Sequence, residues 1–204
     1  MRLGKAIAER LRAEGWRVIT SSHRADAGAD IVADLSAPDG AVKLYAAAMG
    51  LLGGQPPDAL VNNSALFMGD DAAIAAVNLE SPKKLTTLMA GREAGVGAIV
   101  NILDTKALDA CRRLPTPADT YLASKRGLLD FTRAAAATFA ATLRVNAVAP
   151  GPVLAPTGVH VKAGATLLDR RPTAADVAAA VSYLLGAESV TGATIPVDAG
   201  QHLA

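Results

Sequence analysis

Tyr121 and Lys125 lie four residues apart in "TYLASKRGLLDFTRAAAATFA", residues 120–140, where apolar positions recur at helical spacing. On one face of a helix their Cβ atoms would be about 5–6 Å apart. An ammonium at that range favours the phenolate, so Lys125 is expected to lower the Tyr121 pKa toward the working pH. A tyrosine so tuned serves as proton donor and acceptor. Taken alone, such a pair is more often a coincidence on a solvated face, and its companions along the chain must decide.

Those companions need elements to hold them. Short apolar runs bounded by turn-forming residues predict strands at 17–21, 30–33, 59–62, 98–103, 143–148 and 194–197. Helical periodicity fits 3–14, 41–52, 72–90, 120–141 and 173–185, the last with Thr173 as N-cap. The alternation predicts an α/β fold, a parallel sheet covered on both faces and joined by right-handed crossovers. Such sheets bind ligands at the carboxyl ends of their strands, so chemistry should sit just after each one. "VITSSHR" ends the first strand with Arg24 and has no acid before Asp26. In a dinucleotide fold an acid there would hold the ribose 2′-hydroxyl, whereas an arginine accommodates a 2′-phosphate, which favours NADPH over NADH. "ADL" follows the second strand with Asp34 and Leu35, suited to an adenine amino group and its ring face. "LVNNSA" carries the third strand into Asn62 and small residues that let backbone approach a ligand.

Composition narrows the class. A chain of 204 residues, 51% hydrophobic and 19% charged, is long enough for one substantial core and short for two, so a single domain over 1–204 is expected. The net charge of +1 is spread without a basic block, which argues against nucleic acid and anionic membranes as partners and favours a small-molecule substrate. One cysteine, Cys111, excludes an internal disulfide and leaves no Cys/His cluster for a metal, in keeping with a reducing, cytoplasmic location. Arg2, Lys5, Glu9 and Arg10 interrupt any signal-like apolar run.

Six segments then fall in a recognisable order: "VNNSA" at 61–65, "VNL" at 77–79, "IVNILD" at 99–104, "YLASK" at 121–125, "RVNAVAPGPV" at 144–153 and "VTGATIPVDAG" at 190–200. Together they resemble the short-chain dehydrogenase/reductases over essentially the whole chain. The resemblance implies a Rossmann-like doubly wound sheet of order 3-2-1-4-5-6-7 and hydride transfer from a nicotinamide. By position it makes Tyr121 the proton donor, Lys125 the group that tunes it and binds the nicotinamide ribose, and Asn78 the residue that holds the lysine through a water. Asn62 matches the first Asn of the family's NNAG turn, with Ser64 and Ala65 departing from its ending. Pro150, Gly151 and Val153 match the turn that offers backbone to the carboxamide. Pairing of the helices at 72–90 and 120–141 across a two-fold axis implies a homo-oligomer, a dimer or tetramer.

Asp104 stands where most members have the second serine of "NISS". A serine donates to a substrate oxygen; an ionised carboxylate only accepts, and it repels a developing alkoxide. That disfavours plain ketones and suits a substrate with N–H donors or ring nitrogens that must gain a proton. The combination of "NNSALF", "HR" and Asp104 resembles the pteridine reductases and dihydromonapterin reductases. Three readings stay open: an NADPH-dependent reductase of a pterin-like C=N bond; a carbonyl or 3-oxoacyl reductase in which Asp104 only caps its loop; and a silent fold-mate acting as a binding partner. Phe67 could stack on a flat substrate, although a lone Phe is more often core. The stretch after "PGPV" is short for a substrate lid.

The first residues, "MRLG", match the end of the family's cofactor turn, with Arg2, Leu3 and Gly4 in its last three positions and Gly4 letting the helix approach phosphates. The strand that should precede the turn is missing. The sheet is then expected to lack its central strand, with a gap of about 10 Å: either Met1 is an internal methionine of a longer protein, or the chain closes the gap and binds dinucleotide poorly.

Overall fold

The strands nearest the centre are buried almost throughout. The computed structural model describes residues 3–93, 95–108, 119–153 and 166–203. In it β3 (Ala59–Asn62), β4 (Gly97–Ile102), β5 (Leu143–Pro150) and β6 (Thr194–Val197) form one parallel sheet in that order. Every residue of β4 is buried, and in β5 only Arg144 is not fully so, as befits strands covered on both faces. The register Asn62↔Asn101 and Ile102↔Val148 brings the ends of β3, β4 and β5 level, so their loops open on one side.

Helices cover both faces. α1 (Leu3–Ala13) and α6 (Ala174–Gly186) place Ile7, Leu11, Val177, Val181 and Leu184 against Val100, Ile102 and Val148. On the other face Met89, Ala135 and Ala136 pack on Ile99, Leu143 and Val145. The sequence-predicted N-cap of α6 is present: Thr173 and Asp176 form a reciprocal capping box, worth about 1 kcal/mol. α5 (Thr120–Thr138) starts on the carboxylate of Asp119, which accepts from the Leu122 amide at 2.9 Å. Among the described residues no helix is long and apolar enough to cross a membrane.

Two expectations need correcting. The helix predicted over 72–90 is three pieces: α3 (Asp71–Ala75), a π turn at Ala76–Glu80 and α4 (Ser81–Ala90). Pro82 has no N–H and cannot close the α-helical bond on the Asn78 carbonyl, and the Ser81 amide reaches five residues back to the Ala76 carbonyl. The strands predicted at 17–21 and 30–33 shrink to β1 (Ser21–Ser22) and β2 (Ile31–Val32), a separate parallel pair. Among the described residues β1 is paired on one side alone, through the Ile31 amide to the Thr20 carbonyl and the Ala33 amide to the Ser22 carbonyl.

The doubly wound sheet is thus in two parts, and among the described residues no strand lies between β1 and β3. That space is a cavity of about 2580 Å³, walled by α1, residues 16–23, α2 (Gly40–Leu51) and β3. It continues past the ends of β3, β4 and β5.

Candidate active site

The loop after β4 and the first turn of α5 converge at the mouth of this cavity. Tyr121 Oη donates to Asp104 Oδ2 at 3.1 Å, and Asp104 Oδ1 accepts from the Lys106 amide at 2.9 Å. Asp104 therefore caps its own loop with one oxygen and reaches the tyrosine with the other. Lys125, only 2% exposed, donates from Nζ to the Ile102 carbonyl at 2.8 Å and lies 5.9 Å from the Tyr121 ring centroid. Phe67 meets that ring edge-on, with centroids 4.8 Å apart, and is otherwise exposed to the cavity.

The electrostatics reverse one expectation. Burial pushes the Tyr121 phenol up, and the Asp104 charge, its hydrogen bond and Asp119 push it further. Burial pushes the Lys125 ammonium down to about 8, against the pull of Asp104. The predicted lowering of the Tyr121 pKa by Lys125 is not what the geometry gives. The ammonium is turned to the Ile102 carbonyl, while a carboxylate within hydrogen-bond reach keeps the proton on the phenol.

Asn78 is fully buried in the π turn. Its Nδ2 donates to the Leu66 carbonyl at 2.9 Å and to Ser124 Oγ at 3.1 Å, and its Oδ1 accepts from the Leu66 amide at 2.8 Å. Ser124 Oγ in turn donates to the Tyr121 carbonyl at 2.7 Å. Asn78 thus joins the loop after β3 to the helix that carries Tyr121 and Lys125.

The residues expected to hold a dinucleotide are mostly in one cavity. Leu3, Gly4, Asp34, Leu35, Tyr121, Lys125, Pro150, Gly151 and Val153 all line it. Asp34 Oδ1 accepts from the Ser36 amide and hydroxyl, and the Val153 amide donates to the Gly151 carbonyl at 2.8 Å. Asn62 turns into the core, where its Nδ2 donates to Asn101 Oδ1 at 2.8 Å. The neighbouring Asn63 faces the cavity instead, and a Cβ on residue 4 would stand 2.7 Å from Asn63 Nδ2. Side-chain alternation along β3 is the signal that could have separated the two asparagines. Arg24 lies outside the cavity lining and holds Asp26, with Nε donating to Oδ1 at 2.9 Å, while His23 lines the cavity. Arg2 and Cys111 lie outside the described residues.

The arrangement offers a phenol that keeps its proton, a carboxylate beside it, a buried ammonium and a helix N-terminus along one trough. Residues 69–202 match a family model described as enoyl-(acyl carrier protein) reductase. The fold is similar to that of the FolM alternative dihydrofolate reductase 1 from Brucella canis, solved in complex with NADP. That comparison gives a TM-score of 0.86 and 31% identity, covering 100% of this chain and 91% of that one. Glucose 1-dehydrogenase 2 from Bacillus subtilis is 30% identical, over 98% of this chain and 91% of its own length. The granaticin polyketide synthase putative ketoacyl reductase 2 from Streptomyces violaceoruber is also 30% identical, over 98% and 92%. With the parallel sheet and the Tyr121–Lys125 helix, these matches make the chain a member of the short-chain dehydrogenase/reductase family of oxidoreductases.

Proposed function

We propose that this chain is an NADPH-dependent reductase acting on a pterin-like, conjugated C=N substrate. The observation that carries the reading is the Asp104–Tyr121 hydrogen bond at the cavity mouth, beside the exposed ring of Phe67. A carboxylate there accepts from ring N–H groups, and a flat heterocycle finds an aromatic wall. The likeness to a dihydrofolate reductase holding NADP supports both the substrate class and the cofactor.

The cavity fits a dinucleotide in its donor set. Asp34 and Leu35 suit the adenine end, Gly4 at the start of α1 the phosphates, and Pro150, Gly151 and Val153 with Lys125 the nicotinamide end. Arg24, at the end of β1, would exchange Asp26 for a 2′-phosphate. When bound, the cofactor supplies the hydride. This chain's own residues do the rest: Tyr121 Oη holds the proton for the substrate nitrogen, Asp104 accepts from the ring N–H groups beside that nitrogen, and the buried Lys125 brings a positive charge to the nicotinamide end.

The same cavity suits a carbonyl or 3-oxoacyl reductase, a reading favoured by the dehydrogenase and ketoacyl reductase relatives. Turnover of NADPH with dihydropterin, dihydrofolate and simple ketones separates the two. The pterin substrates are expected to be reduced, and Asp104→Ser should slow them while speeding ketones; the opposite pattern would support the second reading. Failure of NADPH to bind at all would leave only the silent partner.

A single domain over 1–204, a cytoplasmic location and a homo-oligomer built on the helical segments 72–90 and 120–141 belong to this reading. Light scattering should give at least twice the chain mass, and a monomer would refute the assembly.

A further inference from the structure

One buried carboxylate at the meeting of three strand ends takes no part in the site described above. Asp198 follows β6 and is 2% exposed. Its Oδ2 accepts from Thr105 Oγ1 and from the His202 amide at 2.9 Å, and lies 2.8 Å from His202 Nδ1. Its Oδ1 accepts from the Gly200 amide at 3.0 Å. The loop after β5 rests on the same residue: a Cβ on Gly151 would stand 2.7 Å from the Asp198 Cβ and 2.8 Å from its Cα.

Thr105, 4% exposed, is the residue after Asp104, whose backbone is extended at φ −141° and ψ 140°. Successive side chains on extended backbone point opposite ways. Asp104 therefore faces forward to Tyr121 while Thr105 faces back to Asp198. A charged group withdrawn from water costs several kcal/mol unless it is well paired. Burial alone would raise the Asp198 pKa, but the bonds from Thr105, His202 and Gly200 outweigh it and keep the carboxyl ionised.

We propose that Asp198 is a positioning residue: by holding Thr105 it sets the Asp104 carboxylate against Tyr121 and seats the loop after β4 beside the loop after β5. Its turnover arm rests on the reductase reading; its spectroscopic arm does not.

Thr105→Val removes the hydroxyl at constant shape and leaves Asp198 its bonds from His202 and Gly200. The groups facing Tyr121 are Asp104 from the loop after β4, Lys125 from α5 and Asp119 at its cap. Loosening Asp104 weakens the hold on the phenol proton. Ultraviolet titration, corrected by subtracting Tyr121→Phe, should show Tyr121 ionising at lower pH in Thr105→Val than in wild type. The kcat should fall about tenfold, short of the roughly hundredfold that a 1 Å misplacement costs. The Kd for NADPH should stay within about twofold, since Asp198 keeps its bonds from Gly200 and His202 and still supports the loop after β5. Thr105→Ser should restore wild-type titration and kcat. A Thr105→Val protein that titrates like wild type, or a Thr105→Ser protein that behaves like Thr105→Val, would overturn the proposal. Absence of turnover in the wild type would sink the reductase reading and leave the titration to decide this one.

Discussion

Tyr121→Phe is expected to abolish NADPH oxidation with a pterin substrate while leaving NADPH binding intact. The substitution removes one oxygen and keeps the ring against Phe67, so the packing of the cavity mouth survives. What is lost is the one proton that the surroundings hold in place: burial and the Asp104 charge both keep the phenol neutral. General acid catalysis by a positioned group is worth about 10² to 10⁴ in rate, and the loss should fall in that range. Asp104 keeps its bond to the Lys106 amide and lies near enough to solvent for water to replace the phenol. Binding measured by NADPH fluorescence should therefore match wild type. Turnover within a few-fold of wild type would remove Tyr121 from the chemistry.

Lys125→Met should eliminate turnover and also flatten the response of stability to alkali. The folded ammonium titrates near 8, below its ordinary 10.5, because burial disfavours the charge. Between those two values the unfolded chain binds more protons than the folded one. Stability is therefore reduced below pH 8 and recovered as pH rises through the window. From about pH 7 to about pH 9.5 this amounts to about 2 kcal/mol in the protein without cofactor. Tyr121, held protonated, begins to titrate only above that range. Urea unfolding at the two pH values should show the gain in wild type and its absence in Lys125→Met. Equal gains in both would mean that Lys125 stays an ordinary ammonium. The lost bond to the Ile102 carbonyl lowers the variant's stability at both pH values and leaves the difference unaffected.

Periodicity located the four-stranded sheet closely: 59–62 and 194–197 coincide with β3 and β6, and the centres of β4 and β5 are as expected. It overestimated β1 and β2, because a strand's length depends on partners and among the described residues these two have only each other. The π turn at Ala76–Glu80 keeps the apolar face of the helix and so leaves no trace in the pattern, although Pro82 marks where it must end. Asp104 joined the site only through the resemblance to the family's serine position, whereas Tyr121 and Lys125 were legible from their spacing along α5. The direction of the Tyr121 pKa was not, because it turns on whether Lys125 points to the ring or to a carbonyl. Thr105 and Asp198 are 93 positions apart and carry no spacing signal; only the level ends of β4, β5 and β6 bring them together.

The division of the sheet also sets how the molecule holds together in time. Among the described residues β1 and β2 share no ladder with β3, so the pair is tied to the four-stranded sheet by side-chain packing, chiefly of α2 on α4 with Tyr45 against the Met89 cluster. The adenine end of the proposed cofactor lies on the former and the nicotinamide end on the latter. A dinucleotide spanning both would add a second tie between the pair and the sheet, and its occupancy would raise the stability of the fold by mass action.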